Sequence, residues 1–538
     1  MNKIALSVIV FFLLSIHELK CQTWMRIYGG NINTECYRTF EHYDKGILLS
    51  GCRHLGSNYF GWVLKADING NELWSKSFGI NGKFNKFNSF CLSTDGSIAC
   101  IGGSNKLNNN CLDPLIVKLN GCGEKEWCKI YNSNNCNSFG MDINAIQGGG
   151  YVALISQWLN NTQSDVWLFR LNDSGNVIWS QKYVSNTNIF WSPDPESLMR
   201  TSDSCFLITG NSYTPDSLTP GSLLLKLFLV KVDLDGSAHF EEPWGMNNGI
   251  ISDGTQSIEN NRHEFFTSGR RARNDPPYGD APSLFKSNKF GNPISFFDLK
   301  SKSDAGIATT INWFADSSLA LSSFWSAPNG IDTTGVIKVS TSGSILTVKP
   351  IFTNTPNMFL YGSNITKDNK LLVSGFIEMT GGWLNSFAVK LNSDLEYDSV
   401  YTHPYTYDSL CPHPIVSDTI PIDDCQVVVV GLDEPEKNPE KTKLHIYPNP
   451  ATEQVTIEMP QYIVRQNHNS TITSTTTYFQ WNLTRLDIFD LTGKLMSSQE
   501  IPKQQTIVHI NTSKWHRGMY FARLVFMNEG VAEARFVK

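Results

Sequence analysis

Cysteine and histidine are the residue types here with the most direct reactive or ligating chemistry, at 12 and 11 copies. No two cysteines stand in C-x-x-C spacing and no histidines in H-E-x-x-H or His-x-His spacing, so neither a tetrahedral zinc site nor a redox dithiol has local support. His403, His413 and Cys411 share a proline-bearing stretch, but no metal or cofactor is assigned there. Asp67-x-Asn69-Gly70 and Asp233-x-Asp235-Gly236 carry oxygen ligands of the kind calcium takes. Calcium needs about six to eight oxygens, and no acid follows at the spacing of a calcium loop, so both segments are read as turns. There is no G-x-S-x-G elbow and no phosphate-cradling glycine loop. Carboxylates are numerous, but a glycosidase pair is defined by distance in space. Trp191, Trp313, Trp325 and Trp383 could stack on sugars or pack between elements.

The remaining chemistry is the disulfide, which needs an oxidising compartment. Lys3 followed by the apolar residues 4–16 reads as a secretory signal, cleaved after Cys21 to leave Gln22 first and 11 cysteines behind. Cys91 and Cys100 flank Thr94-Asp95-Gly96-Ser97 and would face each other across a two-residue hairpin. Cys122 with Cys128 would clip a neighbouring hairpin, and Cys411 with Cys425 would close a loop. No stretch reaches the ~18 apolar residues of a membrane span. The formal net charge of -6 gives no electrostatic case for nucleic acid. Arg270, Arg271 and Arg273 are read as a solvated cluster.

What would position these residues is a repeat. Trp62-Val63-Leu64-Lys65-Ala66-Asp67-Ile68-Asn69-Gly70-Asn71-Glu72-Leu73-Trp74 recurs with Lys118, Asn120, Gly123 and Trp127, then Arg170, Asn172, Gly175 and Trp179, then Lys231, Asp233, Gly236 and Phe240. Weaker copies begin at Lys286, Lys338 and Lys390, the last with Leu395 in place of the glycine. By subtraction the basic residues lie 53, 52, 61, 55, 52 and 52 positions apart. A turn and a short apolar strand precede each copy, as in Asp44 through Gly51 and Asp95 through Gly102. Four short antiparallel strands in about fifty residues is the pattern of a propeller blade, so residues 22–430 are read as a seven-bladed β-propeller. The aromatic after each turn is expected to pack between blades, and Trp24, Tyr28 and Gly29 resemble a last strand lacking its first three.

Residues 431–443 are charged and proline-bearing and read as a linker. Residues 444–538 then form alternating strands, expected to make a small immunoglobulin-like β-sandwich. Tyr447-Pro448-Asn449-Pro450-Ala451, Asp490 with Gly493 and Lys494, Gly518 with Tyr520, and the terminal Lys538 follow one another in order. That order resembles the type A C-terminal sorting domain of the type IX secretion system. The Ser/Thr-rich residues 471–477 lie in an insertion longer than the family's usual hairpin. The resemblance implies recognition by the type IX machinery, cleavage by its C-terminal-domain peptidase, and either attachment to surface lipopolysaccharide or release. Trp74-Ser75-Lys76-Ser77-Phe78-Gly79 and its copies also resemble secreted propeller repeats of Bacteroidota, which imply architecture and no activity.

The expected protein is therefore secreted or held at the cell surface, with a propeller that binds a glycan or a protein. A polysaccharide hydrolase or lyase and a structural adhesion component are the other readings. Acids and arginines gathered at one channel mouth would favour the enzyme; exposed aromatics without them would favour binding.

Overall fold

Runs such as Ile47-Leu48-Leu49 and Ile98-Ala99-Cys100-Ile101 lack the polar alternation of a strand with one wet face, so they belong where a sheet is covered on both sides. The computed structural model describes residues 24–538 except 109–110, 133–136, 161–162, 184–190, 216–222, 244–251, 273–279, 301–303, 356, 431–444, 459–483, 491–493, 502–506 and 527–528. The chain divides into two compact units, residues 1–430 and 431–538. The proposed signal segment and linker fall outside the described residues.

The described residues of the first unit contain seven sheets built from antiparallel four-stranded repeats. Sheet 1 spans residues 34–79, sheet 2 85–132, sheet 3 138–183, sheet 4 191–243, sheet 5 252–298 and sheet 6 305–353. Sheet 7 takes three strands from residues 359–391 and its fourth from Met25–Tyr28, which pairs Met25 with Val389 and Tyr28 with Ser386. Each sheet packs against the next and sheet 7 packs against sheet 1, which makes a β-propeller. A separate apolar core fills each junction. Between sheets 1 and 2 it holds Trp74, Phe78, Phe87 and Phe90, and between sheets 7 and 1 it holds Trp24, Trp62, Leu372 and Ala388.

The basic residues Lys65, Lys118, Arg170, Lys231, Lys286, Lys338 and Lys390 occupy one register position on the third strand of their sheets. Several tie that strand to the turn joining the first two: Lys65 to Asp44 at 2.6 Å, Lys231 to Asp203 at 2.6 Å and Lys338 to Asp316 at 2.9 Å. The oxygens of the kind calcium takes are used by the backbone. Asp67 Oδ1 accepts the N–H groups of Asn69 and Asn71, both at 2.8 Å, and Asn120, Asn172 and Asp233 cap their turns likewise.

Each turn glycine also seats an aromatic from the preceding sheet. A Cβ on Gly123 would lie 2.9 Å from the Trp74 ring, and Gly175 and Gly236 are covered in the same way by Trp127 and Trp179. Gly70 is covered by Trp24, so the N-terminal strand supplies sheet 7 with its aromatic. Trp24 and Trp127 donate their indole N–H to carbonyls of the next sheet's turn, Ile68 at 2.6 Å and Asp173 at 3.0 Å. Leu395, where the repeat lacks glycine, adopts φ 63°.

After sheet 7 the chain returns as a strap across the outer edges of the first two sheets. Asp418–Pro421 runs parallel to the last strand of sheet 1, and Gln426–Val429 runs parallel to that of sheet 2. Disulfides Cys122–Cys411 and Cys128–Cys425, with Cα separations of 5.7 and 4.8 Å, fasten it. Lys76–Asp418 at 3.1 Å and Lys125–Asp424 at 2.6 Å add ion pairs.

These bonds correct the three pairings expected from spacing. Cys122 and Cys128 each bond to the strap and not to each other, and so do Cys411 and Cys425. Cys91 and Cys100 are free and buried. Their hairpin closes with one more residue than a two-residue turn, setting Cys91 opposite Ala99 and Phe90 opposite Cys100. A one-residue offset sends the two thiols to opposite faces, Cys91 into the core beside sheet 3 and Cys100 into the core beside sheet 1.

In the second unit, His445–Tyr447, Gln454–Glu458 and Ile507–Asn511 form one sheet. Thr484–Asp490, Leu495–Ile501, Met519–Phe526 and Glu529–Val537 form another. Val455, Ile457, Leu486, Ile488, Leu524 and Phe536 make their shared core, as a β-sandwich requires.

Candidate functional site

The sorting motifs, scattered in sequence, meet at one end of the sandwich. Asn449 Oδ1 accepts the N–H of Val537 at 2.9 Å, and Ala451 N–H donates to the Val537 carbonyl at 2.6 Å. Gly518 and Lys538 exchange backbone hydrogen bonds at 3.0 and 2.9 Å. The Lys538 ammonium donates to the carbonyls of Thr512, Ser513 at 3.1 Å and Trp515 at 2.9 Å. Tyr520, paired with Asp490 across the sheet, stacks on Phe536 and donates its hydroxyl to the His516 carbonyl at 2.7 Å. Tyr447 donates to Glu458 at 2.9 Å, and Asp490 caps the turn through the Lys494 N–H at 3.0 Å. Pro448 and Pro450 both follow cis peptide bonds. Gly493 lies outside the described residues.

In the propeller, the candidate site is a cavity of about 590 Å³ on the axis. The innermost strand of every sheet carries a β-bulge at the same place. The register skips one residue between Cys36 and Arg38, Phe87 and Ser89, Gly140 and Asp142, Pro195 and Ser197, Gly254 and Gln256, Ala308 and Thr310, and Leu360 and Gly362. A bulge bends its strand and re-aims the extra side chain. The extra residues are Tyr37, Asn88, Met141, Glu196, Thr255, Thr309 and Tyr361, and all seven line the cavity. Five sheets place a glycine opposite: Gly51, Gly102, Gly210, Gly269 and Gly375. A Cβ at any of the five would come within 1.7–2.4 Å of a carbonyl oxygen on the bulged strand.

Charged groups surround this ring. Glu35 receives the Tyr37 hydroxyl and lies 3.2 Å from His54 Nε2, while the Lys86 ammonium sits 4.2 Å over the Tyr37 ring. Burial alone would raise Glu35, but the His54 and Tyr37 contacts and the Lys86 charge hold it below the usual carboxylate range. Glu196 faces Asp194, Asp253, Arg38 and Asn211; burial first, and then the charges of Asp194 and Asp253, push its carboxyl well up. Arg38 is held by Asp142 at 3.1 Å, and Asp253 by Arg270 at 2.8 Å. Arg270 and Arg271, read from sequence as solvated, are ion-paired to Asp253, Asp280 and Asp298; Arg273 is outside the described residues. Tyr37, Tyr361, Phe359 and Phe376 form an aromatic wall with ring centroids 5.4–6.2 Å apart.

The tryptophans weighed for sugar stacking do not line this cavity. Trp313 packs on Phe266 and donates to the Glu259 carbonyl at 3.0 Å, Trp325 is buried, and Trp383 is exposed. The Trp191 side chain is outside the described residues. The ring was missed from sequence, although each bulge residue stands fourteen positions before the facing residue, by subtraction, and five of those facing residues are glycine.

The convergence of Asn449, Gly518 and Lys538 on the last strand is the setting for the comparison with known families. Residues 445–538 match the secretion system C-terminal sorting domain. This tail is therefore a sorting domain on a propeller-bearing chain. Among curated proteins none matches. Solved structures similar to the chain include an ulvan lyase of a polysaccharide lyase family, at 9% identity and TM-score 0.46, covering 67% of this chain and 95% of that one. The β-propeller domain of the Trilobed protease from Pyrococcus furiosus is 10% identical with TM-score 0.40, covering 69% and 100%. A protein of unknown function from Dyadobacter fermentans is 12% identical with TM-score 0.40, covering 56% and 93%. These likenesses concern the fold. No helix among the described residues is long and apolar enough to cross a membrane.

Proposed function

We propose that this protein is exported by the type IX secretion system on its C-terminal domain and that its propeller binds carbohydrate in the axial cavity. The bulge ring carries this reading. It presents two tyrosines, an amide, two threonine hydroxyls and a carboxyl to one cavity whose side is an aromatic wall. Sugars combine apolar C–H faces with many hydroxyls, and that lining offers partners for both. The volume falls within the ~300–1,000 Å³ usual for ligand pockets.

The N-terminal segment 1–21 would direct entry into the periplasm, and the tail would then direct passage across the outer membrane. Removal of the tail by the C-terminal-domain peptidase, and attachment to lipopolysaccharide or release, are the fates this route offers. Both halves of the proposal are testable. Deleting residues 535–538 removes the Lys538 and Val537 contacts and should trap the protein in the periplasm; normal export of the truncation would sink the route. Purified full-length protein should be retained by at least one member of a broad glycan panel, and Tyr361→Ala should weaken retention about tenfold or more by removing part of the wall. Retention by no glycan would end the carbohydrate reading.

A further inference from the structure

Glu196 is half-buried and stands among the acids Asp142, Asp194 and Asp253 near the axis. Asp142 is compensated by Arg38 at 3.1 Å, the Ser89 hydroxyl at 2.6 Å and the Leu198 N–H at 2.9 Å. Asp253 is compensated by Arg270, and Asp194 accepts the Ser156 hydroxyl at 3.1 Å. Glu196 has no ion-pair partner among the described residues, and it is the one acid among the seven bulge residues. The Asn211 side chain, whose oxygen accepts the Gly254 N–H at 2.7 Å, hydrogen-bonds the Glu196 carboxyl, and the Arg38 charge acts on it as well. A carboxyl that keeps part of its surface in the cavity and makes no ion pair can meet a ligand there.

Glu35 lies in the same cavity in the opposite electrostatic setting, with His54, Tyr37 and Lys86 about it. Tyr361 lies within electrostatic reach of both glutamates, and its ring centroid is 5.5 Å from that of Tyr37. The cavity thus holds one carboxyl pushed up by burial and one held below the usual carboxylate range, beside a wall suited to a sugar ring. Two titratable groups driven apart by their surroundings form the arrangement acid–base catalysis uses.

We propose that the axial cavity hydrolyses O-glycosidic bonds, with Glu196 as the acid that protonates the leaving oxygen and Glu35 as the base that activates water. This rests on the reading of the cavity as a carbohydrate site. In the step, the bond from the anomeric carbon to the bridging oxygen breaks and its electron pair stays on that oxygen, which takes the Glu196 proton and leaves as an alcohol. A water oxygen bonds to the anomeric carbon and passes its proton to the Glu35 carboxylate, so atoms and charge balance with water as the co-reactant. Lys86 and His54 hold Glu35 ionised and are positioning residues.

The test uses the full-length protein, Glu196→Gln and Glu35→Gln, with oligosaccharides and aryl glycosides assayed for retention and for released products. Wild type should release sugars, and its kcat/KM should fall as pH rises through the Glu196 ionisation. Glu196→Gln should stay folded while losing about 10²–10⁴-fold turnover on oligosaccharides. The loss should be much smaller on aryl glycosides, whose phenolate leaves without a proton. Retention with no product on any substrate overturns the hydrolase and leaves the binding reading intact; no retention removes both. Full turnover by Glu196→Gln on oligosaccharides also overturns it.

Discussion

A turn glycine in this propeller meets two demands at once, a positive φ and room for a neighbour's aromatic ring. Gly123 has φ 73° and would bring a Cβ within 2.9 Å of Trp74. Gly123→Ala should therefore cost about 2–4 kcal/mol, summing backbone strain and overpacking, whereas Gly56→Ala, with φ 65° and open space, pays only the first. Urea unfolding of the two variants would separate the terms. Single carboxyls set opposite pH dependences. Burial pushes Asp113 up to about 6. In the unfolded chain it ionises near the usual value of about 4, so its contribution to stability is lost as pH rises from about 4 to 6. Asp113→Asn should remove that decline, and the stability gap over wild type should open across the same window. Asp316 and Asp368 are lowered to about 2, the first mainly by Ser318 and Lys338; for the second, burial works against the bonds from Thr366 and Tyr401 and the Lys390 charge. Their contribution is present above about pH 4 and is lost as pH falls toward 2, so thermal melts taken down that range should show it.

Among elements, the strap departs most from what the repeat encodes. The repeat was legible because the same turn, basic residue and aromatic recur wherever a strand must cross between two cores; Lys65, Lys118 and Arg170 mark its register directly. The strap has no such copy. Its strands are four residues long, they pair in parallel with strands already used by the repeat, and its disulfides join residues 289 and 297 positions apart. Local spacing carries no trace of such a partner, which is why Cys122 and Cys128 read as a pair. Replacing Cys122, Cys128, Cys411 and Cys425 together by serine should cost about 2–4 kcal/mol, because the long loop that both bonds close is then open in the unfolded chain. Melting the quadruple variant beside oxidised wild type checks this, and equal stabilities would show the strap to be held by its hydrogen bonds and ion pairs alone. The axial ring was hidden for a related reason. A bulge adds a residue without changing composition, and the glycine facing it reads as an ordinary strand end until the partner strand is known.

At the scale of the molecule, the amino acids announced two units and an all-β architecture, while the cavity chemistry waited on the sheets being brought to one axis. Glu35 and Glu196 are 161 residues apart by subtraction and belong to different sheets, so no window along the chain could associate them. Closure of the ring depends on Met25–Tyr28, whose partner strand is Trp383–Leu391. Removing residues 24–28 would expose the edge of sheet 7 and empty the Trp24 seat on Gly70, and the truncated chain should aggregate or melt well below wild type by light scattering and calorimetry. The same pairing fixes an order of events during synthesis. This strand, made before the sheets of the ring, is among the last to find its place, so the growing propeller carries an unpaired strand ahead of it and a fresh open edge behind each completed sheet. Until the ring is sealed, those edges can join a neighbouring chain as readily as their own. The seam thus gives the nascent polypeptide a long interval in which it depends on being held apart from its copies.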